Sequence, residues 1–151
     1  MPTFDLSDED AEALVQYFRS LSNQKGTFSF FDRENVSRES YDKGKKLFGT
    51  RGSKNFDRSL KCGSCHPRGA ELPEGKPADW GPDLFLANER LEPDWIENWL
   101  KNPQALQEGT KMPNFFYYYD EYEGEVEVTE LLPDSEGKIM ALRDYLMTME
   151  D

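Results

Sequence analysis

The two cysteines and the single histidine of this chain fall within five consecutive residues, Cys62-Gly63-Ser64-Cys65-His66. The spacing Cys-x-x-Cys-His is the attachment pattern of a c-type haem. In a helical turn, positions i and i+3 lie on one face, so both thiols can reach the two vinyl groups of one porphyrin. The next residue, His66, can then offer a ring nitrogen to the iron as the proximal ligand.

Two other interpretations of these residues compete with haem attachment. A dithiol redox pair also uses Cys-x-x-Cys, but it expects the strand–helix setting of a thioredoxin, and the flanking sequence does not predict one. A structural zinc site needs four ligands, usually two pairs of Cys or His, and the chain has three such residues, all in one short turn. The residue types therefore favour one haem c per chain.

A sixth iron ligand has to come from a methionine if it comes from this chain. The single histidine is already used, and a thioether is a known axial partner in cytochromes. The candidates are Met1, Met112, Met140, Met147 and Met149. The last three lie in an apolar pattern of helical period, for which a place in the core is the default. Gly109 and Pro113 hold the segment around Met112 out of a helix, so Met112 is expected on a loop.

Three further segments follow in an order that resembles the class I c-type cytochromes. Gly81-Pro82-Asp83-Leu84 is similar to the family's loop after the haem motif. The segment 90–103, which contains Trp95 and Trp99, is similar to the family's middle helix, and Met112-Pro113-Asn114-Phe115 is similar to its distal-ligand loop. The resemblance extends over residues 38–149.

This resemblance implies an all-α cytochrome c fold around one covalent haem, with His66 and Met112 as the axial ligands. It also implies that the Pro82 carbonyl accepts the N–H of His66, a contact that orients the ring and tunes its basicity. Trp95 or Trp99 would line the haem or donate to a propionate; the alternative is that both are simply core aromatics.

The implied function is one-electron transfer by a carrier that has no catalytic activity of its own and docks briefly with redox partner proteins. Haem is attached to this motif outside the cytoplasm in bacteria, as the resemblance implies, so a periplasmic or other extracytoplasmic location is expected. Two other functions stay open. The chain could be the electron-entry domain of a larger respiratory oxidoreductase or peroxidase, or a haem-based gas sensor.

Three helices are predicted to frame this site. Ser7 is the expected N-cap of the first, and Ser37 or Ser40 begins the second, which ends near Phe48. As the resemblance implies, Gly44 lets the second helix cross closely over the last one, residues 135–149. The inward positions of the last helix are Ile139, Leu142, Tyr145 and Leu146.

An insertion at about residues 116–132 is the main departure from the family pattern. Aromatic residues begin it, and Glu125-Val126-Glu127-Val128-Thr129 alternates with period two, as a half-buried strand does. We therefore predict a β-hairpin that turns near residues 121–124, with tyrosines and valines on the haem side and six acids toward water. A mobile acidic loop is the alternative.

The first residues of the chain repeat the last ones. Met1-Pro2 matches Met112-Pro113, and the pattern of residues 7–17 matches that of 135–145 at a constant offset. Residues 1–36 are therefore expected to be a helix and linker resembling the tail of a preceding cytochrome domain, which would be missing from this chain, and residues 37–151 the cytochrome domain itself. An initiator methionine before an ordinary amphipathic helix is the alternative.

Charge is unevenly distributed along this acidic chain. The net charge is −4 over residues 1–36, +6 over 37–70 and −14 over 71–151. The basic block leads into the haem motif, so the resulting dipole would orient a diffusing partner; an ordinary solvated surface is the alternative. Overall acidity disfavours nucleic acid as a partner.

The sequence predicts neither a membrane span nor an export signal, so the chain is interpreted as mature or truncated, and a membrane-bound complex remains a possible partner.

Overall fold

The computed structural model describes residues 5–22, 31–54, 56–122 and 125–149. It is mostly helical, as predicted. The helices are α1 (Asp8–Ser22), α2 (Arg38–Phe48), α3 (Ala87–Arg90), α4 (Pro93–Lys101), α5 (Pro103–Leu106) and α6 (Ser135–Met147). Two strands, β1 (Tyr117–Tyr122) and β2 (Glu125–Leu131), precede α6. Short 3-10 turns lie at Arg33–Asn35, Phe56–Arg58, Cys62–Ser64, Pro77–Asp79 and Leu84–Leu86.

Helix α2 begins and ends where its sequence predicts. The Ser37 hydroxyl accepts a hydrogen bond from the Ser40 backbone N–H at 3.1 Å, which satisfies one free donor of the first turn. Gly49 ends the helix with φ of 69°, a left-handed conformation that glycine adopts without a steric penalty. The turn at Gly49 sends the chain toward the segment that carries the cysteines.

Helices α2 and α6 cross closely at Gly44. A Cβ atom at this position would overlap the Ala141 carbonyl oxygen and lie 2.7 Å from Cβ of Tyr145. Only a glycine lets the two backbones approach this closely. The Tyr145 ring is fully buried and makes edge-to-face contacts with Tyr41 at 5.3 Å and Phe48 at 5.4 Å between centroids. The expected glycine crossing is therefore present.

The hydrophobic core lies between α2, α4 and α6. The four predicted inward residues of α6 are all buried, which confirms that part of the prediction. Met147 and Met149 are also buried, but Met140 is 48% exposed. A core position for Met140 was wrong because its position faces away from α2 and α4. The buried core residues are Phe48, Ala87, Ile96, Leu100, Phe116, Ile139, Leu142, Tyr145, Leu146, Met147 and Met149.

A charged network ties α4 to α6. Arg143 pairs with Glu97 and with its neighbour Asp144, and all three side chains are largely buried. Asp144 also accepts the hydroxyl of Ser40 at 2.6 Å, which links the network to α2. Phe31 lies against the Arg143 guanidinium at 5.5 Å. Removing Arg143 would leave two largely buried carboxylates without their shared counter-charge.

Helix α1 has the expected N-cap but a solvent-exposed surface. The Ser7 hydroxyl accepts the Asp10 backbone N–H at 3.2 Å, and the Ser7 N–H donates to the Asp10 carboxylate at 3.3 Å. This reciprocal pair is a capping arrangement that fixes the first turn. Every residue from Asp8 to Phe18 is exposed, including the apolar ones.

The predicted β-hairpin is present between Phe116 and α6. Strands β1 and β2 pair antiparallel, with Tyr117 opposite Leu131 and Tyr122 opposite Glu125, and the register shifts between Tyr118 and Tyr119. The turn at residues 123–124 and the expected orientation of the hairpin side chains lie outside what the structure describes. No helix within the described ranges combines the length and apolarity needed to cross a bilayer.

Candidate functional site

The cysteine–histidine motif forms one tight helical turn. The Cys62 carbonyl accepts the backbone N–H of Cys65 at 3.1 Å and that of His66 at 2.9 Å. Lys61 enters the turn with φ of 55°, and the side chain of Ser59 accepts its N–H at 3.1 Å. The turn brings the two cysteines into the i, i+3 relation that the sequence spacing predicts.

The two thiols occupy different environments, and no disulfide joins them. Cys65 is exposed, whereas Cys62 is partly buried and packs against the hydrophobic core. Burial raises the pKa of the Cys62 thiol to about 12. A reactive dithiol needs the opposite, because the thiolate is the nucleophile and its pKa has to be low. The environment of Cys62 therefore disfavours the dithiol interpretation.

The His66 ring is held by the carbonyl of Pro82. Nδ1 of His66 lies 2.8 Å from the Pro82 carbonyl oxygen. A carbonyl oxygen can only accept, so the proton of the neutral ring sits on Nδ1 and the lone pair on Nε2. This is the contact that the family resemblance implies for this pair, and it leaves Nε2 as the nitrogen that can bind a metal.

The protonation state of His66 also suits metal binding. Burial lowers the pKa of its imidazole from the ordinary value, while the bond to the Pro82 carbonyl acts in the opposite direction. Burial is the larger effect. The ring is therefore mostly neutral at pH 7, and the neutral imidazole is the form that ligates metals.

Backbone hydrogen bonds join the His66 turn to the loop at 81–85. The Gly81 N–H donates to the Cys65 carbonyl at 2.8 Å, and the Leu84 N–H donates to the Pro67 carbonyl at 3.1 Å. The Asp83 carboxylate accepts two more backbone N–H groups, from Gly69 at 3.2 Å and from Phe85 at 2.9 Å. These bonds fix the position of the Pro82 carbonyl relative to the His66 ring.

Gly81 lies directly against the imidazole. A Cβ atom at this position would be 2.5 Å from Cε1 and 2.6 Å from Nδ1 of His66. Sequence reasoning assigned the role on this loop to Pro82 and missed Gly81 and Asp83 as positioning residues. The available signal was the run Gly-Pro-Asp, because each residue type in it favours a turn for its own physical reason.

The indole rings of α4 meet the Met112 loop. The rings of Trp95 and Trp99 are stacked, with centroids 5.1 Å apart and planes 14° from parallel. The Trp99 Nε1–H donates to Sδ of Met112 at 2.8 Å. Trp95 is 41% exposed, so the alternative in which both are core aromatics is wrong. The buried positions of α4 are instead Pro93, Ile96 and Leu100.

Met112 itself lies on a loop, as expected. Residues 107–116 form turns, bends and irregular backbone between α5 and β1. The Gln104 side chain donates to the Met112 carbonyl at 2.7 Å, and the Met112 side chain is partly buried against the core. Met149 is engaged elsewhere, since its Sδ accepts the Nε–H of Arg68 at 3.2 Å.

These residues fit a covalent haem c. The fit rests on two unpaired thiols in one helical turn, a neutral imidazole with Nε2 as its ligating atom, and a thioether that packs on the same core as Cys62. A thioether sulfur has two lone pairs, so accepting the Trp99 N–H still leaves one for a metal. Within the described ranges, three or more His, Cys, Asp or Glu side chains nowhere converge as a metal cluster would require.

A pocket of about 460 Å³ lies away from these residues. It is lined by Arg33, Val36, Arg38, Tyr41, Lys45 and Thr148, and contains none of the predicted ligands.

Comparisons of the chain with protein-family models, curated proteins and solved structures found no match.

Proposed function

We propose that this chain is a one-electron transfer domain that holds one haem c, attached through Cys62 and Cys65 and ligated by His66 and Met112. The observation that carries the proposal is the His66–Pro82 contact of 2.8 Å within the same hydrogen-bonded unit as the two unpaired cysteines. A dithiol function gives no reason for fixing the imidazole with Nε2 as its ligating nitrogen. A zinc site would use that nitrogen, but it needs four ligands, and no such group converges among the described residues. A haem protein needs the imidazole fixed in this way.

Each thiol would add across one vinyl group, so that sulfur bonds to one vinyl carbon and the thiol hydrogen goes to the other. No oxidant or reductant is consumed by this addition. The haem then supplies an iron centre that gains and loses one electron. Cys62 anchors the attachment to the core, whereas Cys65 stays at the surface. The surface thioether marks the edge at which electrons would enter and leave.

The remaining side chains would tune the site rather than perform chemistry. The Pro82 carbonyl holds the imidazole proton and raises the basicity of Nε2. The Trp99 N–H holds the Met112 sulfur and withdraws electron density from it. If His66 and Met112 both bound the iron, no coordination position would stay open for a substrate, which favours a carrier over an enzyme.

The surface around the motif supports transient protein docking. In the segment that leads into the motif, the basic side chains of the chain's positive block are exposed, among them Arg51, Lys54, Arg58 and Lys61. Arg51 and Lys61 make surface ion pairs with Glu74 and Asp57, and such pairs are weak in water. We propose an acidic redox partner that docks at this edge, and an extracytoplasmic location in a bacterium because the family attaches its haem there.

The exposed face of α1 favours a second candidate function. A freely diffusing carrier has no use for an apolar helix face that no described part of the protein covers. The chain would then be an electron-entry or relay domain within a larger haem-containing oxidoreductase. Deleting the domain from such an assembly would abolish the partner's turnover, whereas a free carrier would exchange electrons at full rate on its own.

The ligand assignment is tested by spectra and potentials of the haem-containing protein and three methionine variants. In Met112→Ala, we expect loss of the weak long-wavelength sulfur-to-ferric-iron band, a lower midpoint potential and rapid carbon monoxide binding in the reduced state. Met140→Ala is the matched control, because this side chain points to solvent, and it should keep all three properties.

The outcomes separate the competing assignments. Loss of the sulfur band in Met149→Ala instead would move the sixth ligand to α6. Rapid carbon monoxide binding by the unmodified protein would favour a gas sensor over a carrier. Absence of covalent haem after expression with a maturation system would return the cysteines to thiol chemistry and end the proposal.

A further inference from the structure

Helix α1 presents an apolar face that the described protein does not cover. Leu14 is 43% exposed, Tyr17 57% and Phe18 62%, and Leu6 before the helix is 49% exposed. Leu14, Tyr17 and Phe18 lie at helical spacing and form one stripe. Burying large apolar side chains stabilises a complex, so these exposed residues are a substantial unused binding surface.

The sequence of α1 matches α6, and α6 shows what such a face packs against. With an offset of 128 positions, the matching or similar pairs are Ser7 and Ser135, Asp8 and Glu136, Ala13 and Ala141, Leu14 and Leu142, Tyr17 and Tyr145, and Phe18 and Leu146. In α6, the last four of these residues are buried, and Tyr145 is fully covered. Their counterparts in α1 carry the same chemistry without the burial.

The partner of this face in α6 is a helix with a glycine at the crossing point. Gly44 of α2 meets the Ala141 carbonyl and Tyr145 so closely that no side chain fits between them. The counterparts of those two residues in α1 are Ala13 and Tyr17. A helix that covers α1 in the same way therefore also needs a glycine at the crossing.

Charge adds a second requirement for the partner helix. A Cβ atom on Gly137 of α6 would lie 3.5 Å from Nζ of Lys43 on α2. At the counterpart of Gly137, α1 carries Glu9, an acid in the first turn. A partner helix with a lysine at the position of Lys43 would pair with Glu9, which the glycine of α6 cannot do.

A second copy of this chain is a poor occupant, because its own α2 is already covered by α6. The buried Gly44 and the buried Tyr145 show that the crossing surface is filled within one domain. For α1 to dock there, α6 would have to leave and expose its own core residues. The occupant is thus a helix of the same kind on a different domain.

We propose that α1 docks on an α2-type helix of another haem c domain, one that carries a glycine at the crossing and a lysine opposite Glu9. The glycine and the lysine required of the partner helix follow from α1, α2 and α6 alone. That the helix belongs to a haem domain rests on the proposed function. The haem spectrum tests that function independently, so failure of either claim leaves the other measurable.

A peptide with the sequence of residues 37–48, labelled with a fluorophore at its N-terminus, is a direct probe of the partner helix. A lactam between Asp42 and Lys46, on the face opposite Gly44, holds it helical, so that nucleation cost does not mask binding. Titrated with the full-length haem-containing protein, its fluorescence anisotropy should rise and saturate below about 1 mM.

Matched variants locate the binding to α1. Leu14→Asp in the protein, or Gly44→Leu in the peptide, should weaken binding at least roughly tenfold. Met140→Asp places the same charge on the exposed side of α6 and should leave binding unchanged. No saturable binding, or equal binding by all variants, would overturn the proposal.

Sedimentation of the protein alone tests whether copies of this chain associate with each other. We expect a monomer across the concentrations of the titration. A dimer that forms with concentration and is abolished by Leu14→Asp would show that a second copy covers α1, and the proposal of a different domain would fall.

Discussion

Replacing Gly81 by alanine should disturb the site through a single atom. The new Cβ would lie 2.5 Å from Cε1 of His66, whereas ordinary contacts begin at 3.4 Å. The ring or the loop must therefore move by roughly 1 Å to relieve the overlap. A ring shift of that size takes Nδ1 of His66 beyond hydrogen-bond distance of the Pro82 carbonyl, from a starting value of 2.8 Å.

The magnitude follows from two contributions. Overpacking against a fixed ring costs about 1–3 kcal/mol, and loss of the hydrogen bond adds about 1 kcal/mol. We expect Gly81→Ala to lower the free energy of unfolding by about 2–4 kcal/mol in total. The midpoint potential should also rise, because an imidazole that no longer donates to Pro82 is a less basic ligand and stabilises the oxidised iron less.

The assay is urea unfolding of the haem-containing protein, with a potentiometric titration of the same samples. Gly137→Ala is the matched control, since its Cβ would meet only the flexible end of Lys43 at 3.5 Å. Alanine is the better helix former, so this control should be neutral or more stable by up to about 1 kcal/mol. Equal stability of the two variants together with an unchanged potential in Gly81→Ala would refute the role assigned to Gly81.

Three further predictions concern the thiols, the helix crossing and the surface charge. In haem-free protein at pH 8, a maleimide should label exposed Cys65 well before Cys62, whose pKa burial raises to about 12; equal labelling in a peptide-mapping time course would contradict this. Gly44→Ala should lower the free energy of unfolding by about 1–3 kcal/mol in a urea titration, because the overlap with the Ala141 backbone outweighs the gain in helix propensity. Oxidation of the reduced protein by a small anionic reagent should slow as salt is added, because salt screens the attraction of the reagent to the local basic block. If the net charge of −12 governed the approach instead, the rate measured by stopped flow would increase with salt.

The helical frame could be predicted because its determinants are local. Ser37 caps α2 through a bond to a residue three positions on, and Gly49 ends it through its own backbone conformation. The helical spacing of apolar residues predicted the buried positions of α6, because this pattern is also local in the sequence. The family resemblance also predicted a close crossing of α2 and α6 at Gly44, although only the structure shows that Ala141 and Tyr145 lie opposite it.

The parts that escaped prediction depend on contacts between distant segments. Helical periodicity did not show that Trp95 lies outside the core, since that depends on which face of α4 meets α6. The position of Gly81 against His66 depends on hydrogen bonds across 16 residues. The contact of Trp99 with Met112 spans 13 residues and required the fold of the intervening loop. The axial pairing itself stays a prediction.

The bond between Ser40 and Asp144 joins residues that are 104 positions apart. The contact of α2 with α6 therefore closes a loop that contains nearly all of residues 37–149. Closing a loop of this length has a large cost in chain entropy. Such a topology is expected to slow folding relative to a bundle of sequence neighbours. It also brings the two ends of residues 37–149 together. A unit whose ends meet tolerates circular permutation and insertion into another polypeptide. We therefore expect residues 37–149 to keep their fold when they are permuted or inserted in this way.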